Sequence, residues 1–301
     1  MVTRLFLGCL LLRALAVTPA AADVTAPGWR LDLSGGAVKQ FDASIDSGGD
    51  FDMDRQFLRL SATRNIGKAW NAGVSLGYAE NRYAFTGSAG FGGLDPWGKI
   101  RQLRLGVPVR YRADSQWSFV GIPSLRYSAE SGARSSDGRQ WGLLAAAAYR
   151  FSDRLTLGPG FGVFSEIEES TSFFPILFID WKITDSLSLT TGRGLAASRG
   201  PGIALEWSPA GRWSLSLGAR YEKTRFRLDD TGTFPSAVGQ DRSIPLALSA
   251  RYAPSLDIEL GLLGGMAFAG NLRLEDASGR LLGESDYAAA PFAGAFVRLR
   301  F

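Results

Sequence analysis

The sequence predicts an all-β fold: a closed antiparallel transmembrane β-barrel of about 14 strands, with 12 as the alternative count. Three observations predict it. Many segments of about ten residues alternate apolar and polar side chains with a period of two. Short polar turns alternate along the chain with longer stretches rich in Gly, Ser and Asp. Aromatic residues gather at the strand ends beside the short turns, as they do at a membrane interface.

The chain begins with a predicted signal peptide. Met1–Arg4 supplies a positive start, Leu5–Leu12 is an apolar run, and Ala20–Ala22 offers small residues for cleavage. A membrane anchor would need roughly 20 unbroken apolar residues. We therefore expect residues 1–22 to be removed and residues 23–301 to form one barrel domain.

The composition excludes several kinds of chemistry. The chain has no histidine, and its one cysteine, Cys9, lies in the predicted signal peptide. Disulfides, thiolate catalysis, Ser-His catalysis and histidine-based metal sites are therefore excluded from the mature chain. Loss of Arg4 and Arg13 lowers the net charge from +4 to +2, so no electrostatic feature favours nucleic acid. We expect a protein that is not an enzyme and has no cofactor and no metal.

The strand count follows from six short turns. Each turn holds Asp, Ser, Asn, Gly or Pro between two alternating segments. These units are Arg64–Trp70, Tyr111–Phe119, Tyr149–Leu157, Ile183–Leu187, Ser208–Leu215 and Tyr252–Asp257. Six turns give twelve strands, and an opening strand near Trp29–Val38 and a closing strand near Ala288–Phe301 make 14. Twelve stays open because Pro201–Trp207 is short.

The longer stretches predict extracellular loops, while the short turns are expected to be periplasmic. These stretches are Asp42–Asp52, Thr86–Gly98, Ser128–Gly138, Asp229–Gln240 and Gly270–Asp286. Thr86–Gly98, with Phe91 and Trp97, either folds inward as a constriction or stays mobile. Acidic pairs at 229–230 and 275–276 either hold a divalent cation near lipopolysaccharide phosphates or form hairpin turns, and turns are favoured.

Charged residues on the more polar face of the strands are predicted to point into the lumen: Arg59, Arg104, Asp180, Glu206, Arg220, Glu222, Arg251, Glu259 and Arg298. They either line a pore and select its solute, or form paired charges that brace a narrow lumen, since an unpaired buried charge is costly. The predicted interfacial girdle consists of Trp70, Tyr111, Trp117, Tyr149, Trp181, Trp207, Trp213 and Tyr252. Six prolines inside predicted strands (108, 123, 159, 175, 245 and 291) imply bulges or kinks.

The last strand ends at Phe301, with Leu299 and Val297 on the same face. A terminal aromatic on an alternating strand resembles the assembly signal of bacterial outer-membrane β-barrel proteins. The resemblance to that superfamily spans the whole mature chain as a pattern, and the chain looks most like its domain-of-unknown-function type. It implies that the barrel-assembly machinery reads Val297, Leu299 and Phe301 during insertion.

The sequence therefore predicts a bacterial outer-membrane barrel, exported through a cleaved signal peptide. A pore or transport-type barrel for small solutes is the preferred function. The alternative is a structural or surface-interaction barrel with a closed, charge-braced lumen. Expected partners are outer-membrane lipid, lipopolysaccharide and the assembly machinery, with no nucleic acid. The sequence identifies neither a solute nor a protein partner.

Overall fold

The structure, a computed structural model, describes residues 28–134, 136–191, 202–209 and 211–301. They form a closed antiparallel barrel of 14 strands, which confirms the predicted fold class and the higher strand count. The predicted signal peptide lies outside the described residues.

Seventeen strand segments make up the 14 strands, because β4 and β5, β12 and β13, and β16 and β17 are each two parts of one interrupted strand. The segments are β1 (Trp29–Ser44), β2 (Asp50–Ile66), β3 (Trp70–Thr86), β4 (Lys99–Gly106), β5 (Val109–Arg112), β6 (Trp117–Glu130), β7 (Arg139–Arg150), β8 (Leu155–Glu166), β9 (Glu169–Lys182), β10 (Leu187–Thr191), β11 (Gly202–Trp207), β12 (Trp213–Arg220), β13 (Glu222–Arg227), β14 (Val238–Tyr252), β15 (Ile258–Glu275), β16 (Leu281–Tyr287) and β17 (Ala290–Arg300).

The first and last strands close the barrel. β1 pairs with β17 from Asp32 opposite Arg300 to Gln40 opposite Phe292. Leu31 and Phe301 exchange backbone hydrogen bonds of 3.0 and 2.9 Å beyond that ladder. Because each remaining strand pairs with its neighbours in chain order, the sheet has no free side edge at this seam.

All six predicted short turns connect consecutive strands and lie at one end of the barrel, here called the short-turn end. The opposite end is called the long-loop end. β10 and β11 are short, yet they pair with each other from Leu187 opposite Trp207 to Thr191 opposite Ile203. That pairing is why the count is 14 rather than 12.

Two predicted loops are wrong in extent. Asp42–Asp52 is mostly strand, because β1 and β2 leave only residues 45–49 between them. Gly270–Asp286 is mostly a hairpin of β15 and β16, joined by residues 276–280. Leu272 and Leu274 are fully buried in that hairpin, and this burial outweighs the turn-forming composition. The two-residue turn between β8 and β9 was not predicted from the sequence.

The in-strand prolines disturb the ladders less than expected. Pro108 separates β4 from β5, where a ladder donor is missing. No register shift occurs at Pro123, Pro159 or Pro175. The shift between β14 and β15 lies next to Pro245, where Ser243 is opposite both Ala269 and Gly270; Ala269 has a φ of 50°.

The outer surface of the barrel carries an apolar band. Its exposed members include Leu58, Leu76, Leu103, Leu125, Leu177 and Leu248. Such a continuous band far exceeds the apolar patches of soluble monomers and matches the lipid-facing belt of a membrane barrel. Among the described residues, no helix is long and apolar enough to cross a membrane. The short helix α1 (Gly90–Leu94) lies in the β3–β4 loop.

Candidate functional site: the barrel interior

The nine predicted lumen charges occupy inner-face positions of their strands. Arg104, for example, is half-buried between the exposed Leu103 and Leu105 of β4. Glu206 likewise lies between the exposed Leu205 and Trp207. Their role in solute selection or bracing stays a prediction.

Ion pairs link several of these charges in the short-turn half. Arg251 lies 2.5 Å from Glu206 and 3.8 Å from Glu259, whose other oxygen is 2.9 Å from Arg300. These contacts join β11, β14, β15 and β17. The group resembles a brace along one side of the wall more than a ring around a pore.

Three further predicted residues lie elsewhere on the inner face. Arg298 of β17 is 2.5 Å from Asp32 of β1 and connects the last strand to the first. Arg59 interacts electrostatically with both of these residues. Asp180 instead lines a cleft of about 110 Å³ at the short-turn end, together with Arg112 and Arg150.

The main feature of the interior is a hairpin that crosses the long-loop end. We call residues 222–241 the mouth hairpin; it comprises β13, its connection, and the start of β14. Arg227 of β13 forms a parallel bridge with Ala129 of β6. Since β12–β13 and β6 lie six strands apart in a ring of 14, this bridge spans almost the full width of the barrel.

Arg225 attaches the mouth hairpin to the β8–β9 turn, which lies three to four strands away around the ring. Its side chain has no exposed surface. It donates to the Ile167 carbonyl of the β8–β9 turn through Nε at 3.1 Å and Nη2 at 2.7 Å. It also donates to Glu275 at 2.6 Å and to Gln240 at 3.2 Å. Arg225 therefore connects β13 to the β8–β9 turn and to β15, in addition to β14, with which β13 already pairs.

Two neighbouring cations on the same face of β13 strengthen this attachment. Arg227 donates to Glu168 in the β8–β9 turn and, at 3.4 Å, to the Asp137 carbonyl. Lys223 lies 2.9 Å from Glu169 of β9. The three basic residues of β13 (Lys223, Arg225 and Arg227) therefore all contact the part of the barrel that contains β7, β8 and β9.

The opposite face of β13 carries a second contact across the lumen. Glu222 accepts from Arg220 at 2.8 Å and pairs with Arg55 of β2 at 2.9 Å. The side chains of Arg55 and Glu222 are almost fully buried. A buried pair of this kind is costly to break from one side, because the remaining charge stays uncompensated.

An aromatic cluster fills the interior below the mouth hairpin. Phe226 lies 5.3 Å from Trp97 and 6.2 Å from Tyr83, ring centroid to ring centroid. Phe51 of β2 packs at 4.8 Å from Tyr287 of β16. The β3–β4 loop therefore folds inward, which settles the alternative left open for Thr86–Gly98: Phe91 and Trp97 are both buried here.

Polar atoms are embedded in this apolar cluster. Asp241 accepts from the hydroxyls of Tyr83 at 2.9 Å and Tyr287 at 3.0 Å. Within the described part of the chain, the buried nitrogens Asn81 Nδ2 and Trp97 Nε1 have no hydrogen-bond partner. The interior is thus a mixed surface of apolar and polar groups rather than a fully satisfied core.

The predicted girdle residues lie at the short-turn end. Trp70 contacts Tyr111 at 4.5 Å, and Trp213 contacts Tyr252 at 4.9 Å. The remaining members lie at the strand ends beside the same turns: Trp117 is the first residue of β6, and Tyr149, Trp181 and Trp207 are among the last residues of β7, β9 and β11. At the terminus, Phe301 is exposed beyond β17, on the outer face that also carries Leu299 and Val297.

The acidic pairs of the outer loops organise their own turns. Asp276 accepts from the hydroxyl and backbone of Ser278 and from the backbone of Arg280. These hydrogen bonds, the Ser278 hydroxyl first, lower the pKa of Asp276 to about 2. Asp229 accepts from the backbone and hydroxyl of Thr231, which lowers its pKa in the same way. Across the described residues, no group of three potential ligands is arranged to hold a metal.

Several interior residues were missed in the sequence, among them Arg55, Arg225, Arg227, Asp241 and Glu275. One signal was available for two of them: β13 reads Lys-Thr-Arg-Phe-Arg, with three cations on one face of a segment next to a predicted loop. No local pattern indicated Asp241 or Glu275.

Comparison with solved structures identifies similar folds. An outer membrane channel from Pseudomonas putida F1 has a TM-score of 0.52 at 10% identity, covering 95% of this chain and 100% of that one. The TodX monoaromatic hydrocarbon channel, as a deltaS2 mutant, has a TM-score of 0.50 at 10% identity, covering 94% and 93%. The chain has the fold of an outer-membrane channel. A Pseudomonas aeruginosa FadL homologue follows at a TM-score of 0.46 and 11% identity, covering 90% and 89%.

At such identities these likenesses concern the fold alone. No protein-family model matches the chain, and no curated protein matches its sequence.

Proposed function

We propose that this protein is a transport-type barrel of the bacterial outer membrane that admits small apolar molecules at its long-loop end. The observation that carries the proposal is the aromatic cluster on the inner face, built from Phe51, Tyr83, Trp97 and Phe226. A water-filled porin has a polar interior. An interior that carries an aromatic cluster at the long-loop end suits a solute that leaves water on entry.

The exposed apolar band and the girdle support membrane insertion, with the short turns facing the periplasm. The similar fold of a monoaromatic hydrocarbon channel supports an apolar solute. Neither of these observations selects a particular molecule. Enzymatic function is not part of the proposal.

In this proposal the mouth hairpin is the gate. It is attached through polar contacts of Arg225, Arg227 and Lys223 to the β6–β7 loop, the β8–β9 turn and β9. Such contacts can exchange with water when the hairpin lifts, at a net cost of about 1.5–3 kcal/mol for each hydrogen bond to a charged group. Solute would enter where Phe226 now packs.

A reversible disulfide tests the gate. The mature chain is expected to have no cysteine, so a pair introduced as Ala129→Cys and Arg227→Cys at the β6–β13 bridge is the sole thiol pair. The readout is uptake of a monoaromatic hydrocarbon into proteoliposomes. Oxidation should abolish uptake, and reduction should restore it.

A matched pair controls for the disulfide itself. Ala62→Cys and Val74→Cys join neighbouring strands β2 and β3 without crossing the lumen, and uptake there should not respond to oxidation. Uptake by the oxidised hairpin variant at the level of the reduced protein would contradict the gate. Because a small aromatic hydrocarbon also crosses lipid, the initial rate of uptake by protein-free vesicles is subtracted as background. The absence of any additional rate with the reduced or the unmodified protein would contradict transport.

The buried contacts of Arg55 with Glu222 and of Arg225 with Glu275 favour a second function, a structural barrel with a permanently closed lumen. It predicts no uptake in either redox state, together with electrical silence in planar bilayers. Uptake that depends on reduction would exclude it.

A further inference from the structure

We infer that the outer face of β3, β4 and β7 binds the phosphate groups of lipopolysaccharide through a cluster of four basic residues. We call this cluster the outer basic patch: Arg82, Lys99, Arg101 and Arg139. The inference rests on the outer-membrane placement proposed above, but not on transport.

The patch lies at the height of the outer lipid boundary. From the girdle residue Trp70, the outer face of β3 runs through Val74, Leu76 and Tyr78 to Glu80. Ten residues of strand at about 3.3 Å each, tilted by about 40°, rise by about 25 Å, the usual height of the apolar band. The charges begin where the hydrocarbon should end. On β7 the same interval separates Tyr149 from Arg139.

The strand register brings the cations together. Arg82 stands directly opposite Lys99, and Glu80 stands opposite Arg101. Arg139 lies on β7, two strands beyond β4, so the two strands are about 10 Å apart in the sheet. In the strand register, Arg139 is one outward-facing position closer to the membrane centre than Arg101. All four basic side chains belong to exposed residues.

Two carboxylates lie beside this cluster: Glu80 of β3, and Asp54 of β2, which stands opposite Arg82 and is 3.5 Å from Lys39. Glu80 lies 2.7 Å from Arg82 and 3.6 Å from Arg101, and its side chain is only 12% exposed. The side chains of Arg82 and Arg101 remain about half exposed despite these contacts. Four cations beside these two acids leave an excess of positive charge, which attracts anionic groups.

Aromatic residues complete an interfacial surface around the patch. Tyr78 and Trp141 are exposed on its membrane side, and Tyr127 lies opposite Arg139. Elsewhere the long-loop end carries exposed acids, such as Glu169, Glu284 and Asp286, together with separate exposed bases, such as Arg134 and Arg280. Arginine forms forked hydrogen bonds with phosphate, and a phosphorylated lipid presents its phosphates at this height.

Binding of lipopolysaccharide to the purified full-length protein tests the inference. The test variant is Arg82→Gln/Lys99→Gln/Arg101→Gln, and the matched control is Lys68→Gln/Arg154→Gln/Arg212→Gln at the short-turn end. Each basic residue near an anionic lipid surface contributes about a fivefold factor, so three should weaken binding about 100-fold. The control should bind like the unmodified protein. Heat-modifiable migration on gels checks that both variants fold.

Two further probes identify the ligand group. Dephosphorylated lipopolysaccharide should bind the unmodified protein as weakly as native lipopolysaccharide binds the test variant. Equal affinity for the two forms, or unchanged affinity of the test variant, would overturn the inference. Tighter binding to phosphatidylglycerol vesicles would also overturn it, in favour of phospholipid. Failure of hydrocarbon uptake leaves all these outcomes unaffected.

Discussion

Replacement of Arg225 by methionine should detach the mouth hairpin. Methionine has a similar length and fills most of the buried volume, so the change removes charge and donors with little loss of packing. The Ile167 carbonyl and the Gln240 side-chain oxygen would lose their donor. Glu275 would keep only its ion pair with Arg273 at 2.5 Å.

The cost follows from burial. Removal of one partner of a buried ion pair lowers the free energy of unfolding by about 3–5 kcal/mol, because the other partner stays desolvated. Arg273 remains beside Glu275, so we expect the lower limit, about 3 kcal/mol of the free energy of unfolding. The measurement is urea unfolding of the reconstituted protein, followed by tryptophan fluorescence, together with hydrocarbon uptake, which should rise.

The control is Arg280→Met. Arg280 also pairs with a carboxylate, that of Asp276 at 3.1 Å, but its side chain is 79% exposed. Exposed pairs contribute about 0–1 kcal/mol, so this variant should unfold like the unmodified protein. Equal losses in the two variants, or no loss for Arg225→Met, would refute the claim that burial of Arg225 stabilises the closed mouth.

Three further predictions concern other parts of the chain. Asp276 should titrate near pH 2, so its contribution to stability is present above about pH 4 and lost as the pH falls toward 2; Ser278→Ala should raise its pKa toward 3.8, as measured by carboxyl NMR. Gly158→Ala would place Cβ 1.7 Å from a carbonyl oxygen of the neighbouring strand and should cost about 1–3 kcal/mol in urea unfolding, whereas Gly77→Ala, with 3.7 Å to its nearest atom, should be nearly neutral. Deletion of Phe301 should lower the amount of assembled barrel in membrane fractions, and unchanged assembly would exclude it as a signal.

The wall of the barrel was predictable because its information is local. Alternation places each side chain inside or outside, and the Asp, Ser and Gly turns mark the reversals. That is why six turns and 14 strands follow from the sequence. The strand extents failed where composition and burial disagree: Leu272 and Leu274 alternate with Arg273 and Glu275 in a stretch that its glycines and acids suggested was loop.

The closure of the mouth was not predictable for a different reason. β13 continues the register of β12 on β14 without a shift, so nothing in its own alternation distinguishes a wall strand from one that crosses the interior. The deciding partners, Ile167, Glu168 and Ala129, are 58 or more residues away in the chain. Contacts of that separation leave no local pattern.

The charged residues of the interior fall into two groups that differ in the position of their partners. Near the short-turn end, Arg251, Glu206 and Glu259 join neighbouring parts of one wall, and such pairs can persist whether or not solute passes. At the mouth, Arg225 and Glu222 join the hairpin to the β8–β9 turn and to β2, so these contacts cannot all remain in place if the hairpin lifts to let a molecule through. A transport-type barrel with this interior must therefore break the second group and keep the first. The two groups should separate in experiment: substitutions at Glu206 should lower stability without raising uptake, and substitutions at Arg225 should do both.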